Sequence, residues 1–227
     1  MEELWSDAHF LAVHKPAGMP VQADKTGDVS VIETVRTQWQ DQHIDALPGL
    51  AHRLDRPVSG VLLLTRTAEA LTAINVLFAR HAVRKTYWAV VAGVPPDSGV
   101  WKHRLVHDPH KHKAYVARPE QQAVDAELHY KRLAKGDRYS LLELVPAGGS
   151  FHQLRAQCAA AGFPIKGDVK YGARRGEQDR SIGLHARSLE FVHPFTGVKQ
   201  RVEAPPPSAP LWKALLNMAG QTIVPAP

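Results

Sequence analysis

The run Val61-Leu62-Leu63-Leu64, between Gly60 and Thr65, constrains the fold more than any other segment. Four aliphatic residues in succession leave no face for water, so this is a strand covered on both sides. Such a strand needs partners, and strand-like segments are plentiful. Residues 85–92, 100–106, 113–117, 124–133 and 138–145 read as strands, with Lys135-Gly136-Asp137 as the tight turn between the last two. Others are expected at 9–13, running into the turn signal Lys15-Pro16-Ala17-Gly18, and at 184–192 and 198–203, flanking Pro194-Phe195-Thr196-Gly197.

Helices are fewer. Ile32, Val35 and Trp39 recur at helical spacing between Ser30, a capping residue, and about Gln42. Thr67 caps a second helix with an inner stripe of Leu71, Ile74 and Leu77 or Phe78. A third starts near Phe151, turns Leu154 and Cys158 inward and stops at Gly162. Beyond Pro205-Pro206-Pro207 a short amphipathic helix runs from Leu211 to Met218, and the last residues read as frayed. Many strands and few helices, without regular alternation, give an α+β class with a large, mostly antiparallel sheet. The 227 residues can bury a sizeable core as one domain, or one domain with a small appendage.

Composition narrows the function classes. No stretch approaches the roughly 20 apolar residues that span a bilayer, and Met-Glu-Glu-Leu-Trp lacks the order of a signal peptide. One cysteine, Cys158, excludes an internal disulfide and a cysteine-rich zinc site, so a reducing cytoplasm is expected. Lys and Arg number 28 against 22 Asp and Glu, a net charge of +6, with 13 histidines besides. That balance suits a polyanion, because neutralising phosphates releases condensed counterions; a basic protein with no such partner is the alternative.

Chemistry concentrates in Ala51-His52-Arg53-Leu54-Asp55-Arg56-Pro57-Val58-Ser59-Gly60. A carboxylate sits between two arginines on a loop constrained by proline and glycine, just ahead of the buried strand. Taken alone, Asp55 reads equally as a turn cap or a surface ion pair. Other segments bear on the choice. His52-Arg53-Leu54-Asp55 with Ser59-Gly60 resembles the nucleophile motif of RluA-type pseudouridine synthases, and Lys85-Thr86-Tyr87-Trp88-Ala89-Val90-Val91-Ala92-Gly93 resembles a strand of that family. His152-Gln153-Leu154-Arg155, then Gly162-Phe163-Pro164-Ile165-Lys166-Gly167-Asp168 and Tyr171-Gly172, resemble its helix and following loop. Leu184-His185-Ala186 resembles its closing strand, and His14-Lys15-Pro16-Ala17-Gly18 its opening turn. The likeness spans roughly residues 4 to 204, in the family's order.

The resemblance implies a pseudouridine-synthase-like fold with flanking helices and a central catalytic cleft. It implies a catalytic domain over 1–204, a Pro-rich segment and docked helix over 205–227, and no separate RNA-binding domain. It also implies an activity: specific uridines of structured rRNA or tRNA are isomerised. The bond from ribose to uracil N1 breaks and the ribose rejoins at C5, a redox-neutral exchange needing neither cofactor nor metal. Asp55 would be the nucleophile, a role an aspartate fills as readily as that of anionic stabiliser. Arg155 would be its ionic partner, and Tyr87 a phenol at the base. Arg53 would fill the space left by a flipped uridine. His52, His152, Gln153 and Leu184 would contact RNA or base. Each has a plainer reading: core packing for Tyr87 and Leu184, a solvated helix position for Arg155, a surface salt bridge for Arg53.

The cluster His107, His110, Lys111, His112, Lys113 reads as a solvated loop near phosphates rather than a metal site, since no acidic or cysteine ligand accompanies it. The chain departs from the family pattern at three places: His14 for Asn, Val58 for Thr, and Ser150-Phe151 for Arg-Thr ahead of His152. Two rival classes remain, a non-catalytic RNA-binding protein on the same scaffold and a small-molecule lyase or hydrolase. A monomer is expected, as no amphipathic stripe is left over.

Overall fold

The computed structural model describes residues 1–221; the expectation of a frayed end falls beyond Gln221, outside the described residues. In chain order the first half holds β1 (Glu2–Ser6), β2 (Phe10–Lys15), α1 (Val31–Asp41), β3 (Gly49–Leu50), β4 (Ser59–Thr65), α2 (Ala68–Ala79) and β5 (Arg84–Ala92). Then come β6 (Ser98–Asp108), β7 (Lys113–Val116), β8 (Val124–Lys135), β9 (Tyr139–Pro146), α3 (Gln153–Ala160), β10 (Leu184–Val192), β11 (Lys199–Glu203) and α4 (Pro210–Met218). They form two compact units, Met1–Lys85 with Ala186–Ala204, and Thr86–His185 with the chain from Pro205.

In the first unit the expected buried strand is β4, and all seven of its residues are buried. It pairs antiparallel with β2, Val13 facing Leu62 and Leu11 facing Leu64, and β1 extends the sheet beyond β2. β11 pairs antiparallel with β10. Phe10, Val61, Leu63, Ile74, Leu189 and Phe191 share one core cluster, which α2 closes through Ala70 and Ile74. Both helices are capped as their sequences ask. Ser30 Oγ accepts from the Glu33 N–H while the Glu33 carboxylate accepts from the Ser30 N–H, a reciprocal cap. Thr67 Oγ1 accepts from the Ala70 N–H. Val31, Val35 and Trp39 are buried on α1, and Ile32 is half-buried. β1 and β3 lie outside the expected strands: one is a five-residue edge rich in glutamate, the other two residues long.

The second unit orders its strands β5-β9-β8-β6-β7, antiparallel throughout. One face is covered by α4, whose Trp212, Leu215 and Leu216 pack with Trp88, Val90 and Leu141. The other is covered by α3, where Ala156 joins Leu105, Ala114, Ala126 and Tyr171. The expected inward pair on α3 needs correcting. Cys158 is buried, but Leu154 is only half-buried, and Gln153, Arg155 and Gln157 turn inward instead. Buried amides are tolerated because strand carbonyls accept from them. Gln157 Nε2 donates to Trp101 O at 2.9 Å and Ala126 O at 3.1 Å, and Gln153 Nε2 donates to Glu127 O at 3.1 Å.

The strand-rich, helix-poor α+β expectation holds in both units. Gly60 shows how tightly the first is built. Its φ is +121°, and a Cβ there would meet Ala186 O at 2.2 Å and Ala186 N at 2.6 Å. Both backbone conformation and space demand glycine. Gly60→Ala should therefore cost well over about 1 kcal/mol, read as a lowered urea midpoint at unchanged m-value; a wild-type midpoint would refute this.

Candidate active site

Asp55 stands on the loop between β3 and β4, half-buried, with Leu54 beneath it buried and Arg53 exposed. The Asp55 carbonyl accepts from the Val58 N–H at 3.0 Å, closing a turn through Arg56-Pro57. A second loop grips this turn. Lys15, at the end of β2, is fully buried, and its Nζ donates to Pro16 O at 2.9 Å, Met19 O at 2.8 Å and Arg56 O at 3.1 Å. Gly18 N–H also donates to Arg56 O at 2.8 Å, and Arg56 Nε donates to Gly18 O at 2.8 Å. The Arg56 guanidinium reaches further, to Asp28, to Asp24 at 3.1 Å and to Thr26 Oγ1 at 2.8 Å. Three ammonium protons meet three carbonyls, which suits lysine's compact head.

Burial pushes the Lys15 pKa down to about 7; the Asp55 carboxylate pulls it up and Arg56 pushes it down further. His52, on the same loop, accepts from the Leu63 N–H through Nε2 at 3.0 Å and lies against Phe78. Burial, with Lys85 adding repulsion, lowers its pKa to about 3, so the ring is neutral. His52 thus pins the loop to β4.

In the second unit Arg155 is buried on α3. Its Nε and Nη2 donate to the two oxygens of buried Asp168 at 2.7 and 2.8 Å, a bidentate pair. Its Nη1 lies 3.0 Å from His152 Nε2. A guanidinium only donates, so that nitrogen accepts and the imidazole proton sits on Nδ1, 2.9 Å from Tyr171 Oη. Tyr171 Oη also accepts from the Ala114 N–H at 2.8 Å, and Arg155 lies 5.0 Å above the Tyr171 ring. Cys158 is buried nearby; desolvation, with Asp168 adding repulsion, pushes its thiol well up and leaves it inert.

Tyr87 is half-buried on β5, opposite Leu144. Strand alternation sets it against Trp88, which packs under α4. Through Leu144, Tyr130 and Ala126 the register carries the Tyr87 face across to the residues that α3 covers. Leu184 is buried at the start of β10.

The expected residues therefore fall into two sets. His52, Arg53 and Asp55 share one loop of the first unit; Tyr87, His152, Gln153, Arg155 and Leu184 belong to the second. Gln153 is buried among internal bonds, accepting from the Ser150 N–H at 3.1 Å and donating to Gln157 Oε1 at 3.0 Å. Lys15, Arg56, Asp168 and Tyr171 are additions. All four lay inside segments already singled out, yet nothing local marks a lysine or an aspartate as buried. The His107–His112 turn holds no metal constellation; among the described residues no three His, Cys, Asp or Glu side chains gather as one.

The family model for RNA pseudouridylate synthase matches residues 9–160, which include the Asp55 loop, Tyr87 and Arg155. The chain belongs to that family. It is a pseudouridine synthase of the RluA type. Among its relatives, tRNA pseudouridine synthase C of Vibrio parahaemolyticus is 38% identical, covering 86% of each chain. The protein of that name from Salmonella typhimurium is 37% identical, over 90% of this chain and 85% of its own. The structure of human RNA pseudouridylate synthase domain containing 4 matches with a TM-score of 0.79 at 25% identity, over 96% of this chain and 93% of that one. The pseudouridine-synthase-like fold follows.

Two buried charges give measurable expectations. An unfolded chain keeps the Lys15 proton up to the usual lysine value of 10.5, whereas the native state releases it near pH 7. Between those values the unfolded state binds more protons, so this residue makes stability rise with pH across that window. Lys15→Met should lose that rise. It should also cost about 1–3 kcal/mol at pH 6.5, where the ammonium is present, by leaving buried carbonyls without a donor; urea unfolding of both proteins from pH 6.5 to 9.5 checks this, and parallel curves would contradict it. Asp168→Ala strands the Arg155 charge in the interior and should cost about 3–5 kcal/mol by the same measurement.

Proposed function

We propose that the protein isomerises specific uridines of tRNA to pseudouridine, with Asp55 as nucleophile. Support for tRNA comes from the relatives, which are named for it; ribosomal RNA remains the less supported substrate. Support for Asp55 comes from its loop, where a buried lysine and backbone hydrogen bonds fix the turn that carries the carboxylate ahead of a rigid strand. That held turn, which carries the Asp55 carboxylate, is the observation the reading rests on most.

In the proposed reaction the bond from C1′ to N1 breaks with Asp55 beside the sugar and C6. The freed uracil turns, C1′ joins C5, the C5 proton leaves to solvent and N1 takes one up. Atoms and electrons balance within the substrate and one exchanged proton. Arg155 acts as ionic partner of Asp55, its plane set by Asp168, and Tyr87 faces the base and assists proton loss from C5. Arg53, exposed on the Asp55 loop, fills the gap left in the RNA stack. His152 contacts RNA beside Arg155, while His52, Gln153 and Leu184 shape the walls from within.

Residues 1–204 would work as one catalytic domain with 205–227 as an appendage, in a cytoplasmic monomer. No helix among the described residues is long and apolar enough to cross a membrane.

Asp55→Asn tests the assignment, since the amide keeps the shape and loses the charge. Tritium release from tRNA labelled at uridine C5 should be abolished while circular dichroism and melting stay native. Release at the wild-type rate by the folded variant would refute the role of Asp55.

A further inference from the structure

Phe151 is a large apolar side chain left 39% exposed just ahead of α3. It is also one of the departures from the family pattern, a ring beside a position that has lost its arginine. The ring is not isolated. It lies 3.9 Å from the His152 ring at an interplanar angle of 17°, and 4.1 Å from the His107 ring at 37°. The three make a short column.

The inner end of the column is braced. His152 meets Tyr171 edge-on at 5.6 Å and is bonded through both ring nitrogens, to Tyr171 Oη and to Arg155. Its backbone has φ +50°, a left-handed conformation unusual for a side-chain-bearing residue, which fixes the direction of the ring at the start of α3. The outer end is wet. His107 is exposed near the end of β6, the turn after it carries His110, Lys111 and His112, and Lys113 opens β7. That turn is ordered: Asp108 accepts from the His110 and Lys111 N–H groups at 3.0 Å each, and Lys170 Nζ donates to His112 O at 2.9 Å. The register places His107 opposite Ala114, on the sheet face that α3 covers and from which Tyr87 projects.

Exposed rings pre-ordered beside the lysines at an ordered turn match one kind of ligand, a nucleotide with an unstacked base. The base extends the column and its phosphates meet the lysines. We propose that the His107–Phe151–His152 column is a stacking site for an unpaired base of the substrate RNA, with Lys111 and Lys113 as its phosphate contacts. The proposal rests on RNA being the substrate. Every base has a π-face, so the site supplies affinity and register rather than sequence readout.

The test compares wild type with Phe151→Ala, Phe151→Trp and His107→Ala, using tRNA for equilibrium binding and C5 tritium release for KM and kcat. Phe151→Ala should raise Kd and KM about thirtyfold, the middle of the range for losing one base–aromatic stack. The loss should fall on KM rather than kcat, and Phe151→Trp should bind as wild type does. Replacing Lys111 and Lys113 by Ala should instead flatten the salt dependence of binding by about 0.7 per lost single-strand phosphate contact. Should Phe151→Ala melt early, His107→Ala on the exposed strand end gives the reading, with Kd raised about threefold or more.

Unchanged Kd and KM in folded Phe151→Ala and His107→Ala would overturn the stacking site and leave the catalytic reading intact. Wild-type protein that binds RNA through Phe151 yet releases no tritium would support the stacking site and sink the catalytic reading.

Discussion

A single buried ammonium organises the loop on which the chemistry is proposed to turn. Lys15 lies at the end of a core strand, and its three protons are shared among carbonyls from its own turn and from Arg56. Remove it and two loops distant in sequence lose their common donor. Arg56 then completes the clasp from the other side, trading backbone bonds with Gly18 and reaching the carboxylates of Asp24 and Asp28. Asp55 stands between these anchors and the fully buried β4. A backbone so held limits where its carboxylate can stand, and a fixed position is what the proposed nucleophile needs before its substrate arrives.

The second unit solves a similar problem with different groups. Helix α3 presents amides and a guanidinium to a sheet, an arrangement that would be costly without partners. Each buried head finds one: Gln153 and Gln157 take strand carbonyls, and Arg155 takes both oxygens of Asp168. A buried ion pair of this kind adds little net stability against an apolar replacement, so its value lies in orientation. The guanidinium plane is fixed on two sides, by Asp168 and by His152, whose own ring is set by Tyr171.

Much of the scaffold was legible in the chain. The aliphatic run of β4, the caps at Ser30 and Thr67, and the glycine-bearing turns all act locally, and each element formed where its residues ask. β1 escaped because an edge strand needs only one partner and tolerates glutamates, and its apolar signature is no longer than Leu4-Trp5. The inner face of α3 escaped for the opposite reason. Hydrophobicity points to Leu154, but the partners that make Gln153, Arg155 and Gln157 internal come from Glu127, Asp168, Trp101 and Ala126, and no local rule brings those near. The candidates Asp55, Tyr87 and Arg155 came from motif resemblance alone. That Lys15 is buried depends on a carbonyl at position 56 and was not legible.

The chemical step offers the most direct check on this dependence of Asp55 upon Lys15. Single-turnover conversion of uridine to pseudouridine should be followed for Lys15→Met at a temperature where the variant is folded by circular dichroism. A loosened carboxylate predicts a chemical rate about a hundredfold below wild type, the scale of loss when a reacting group shifts by about an ångström. A folded variant that converts its substrate at the wild-type rate would contradict the idea that the buried ammonium holds the nucleophile in place.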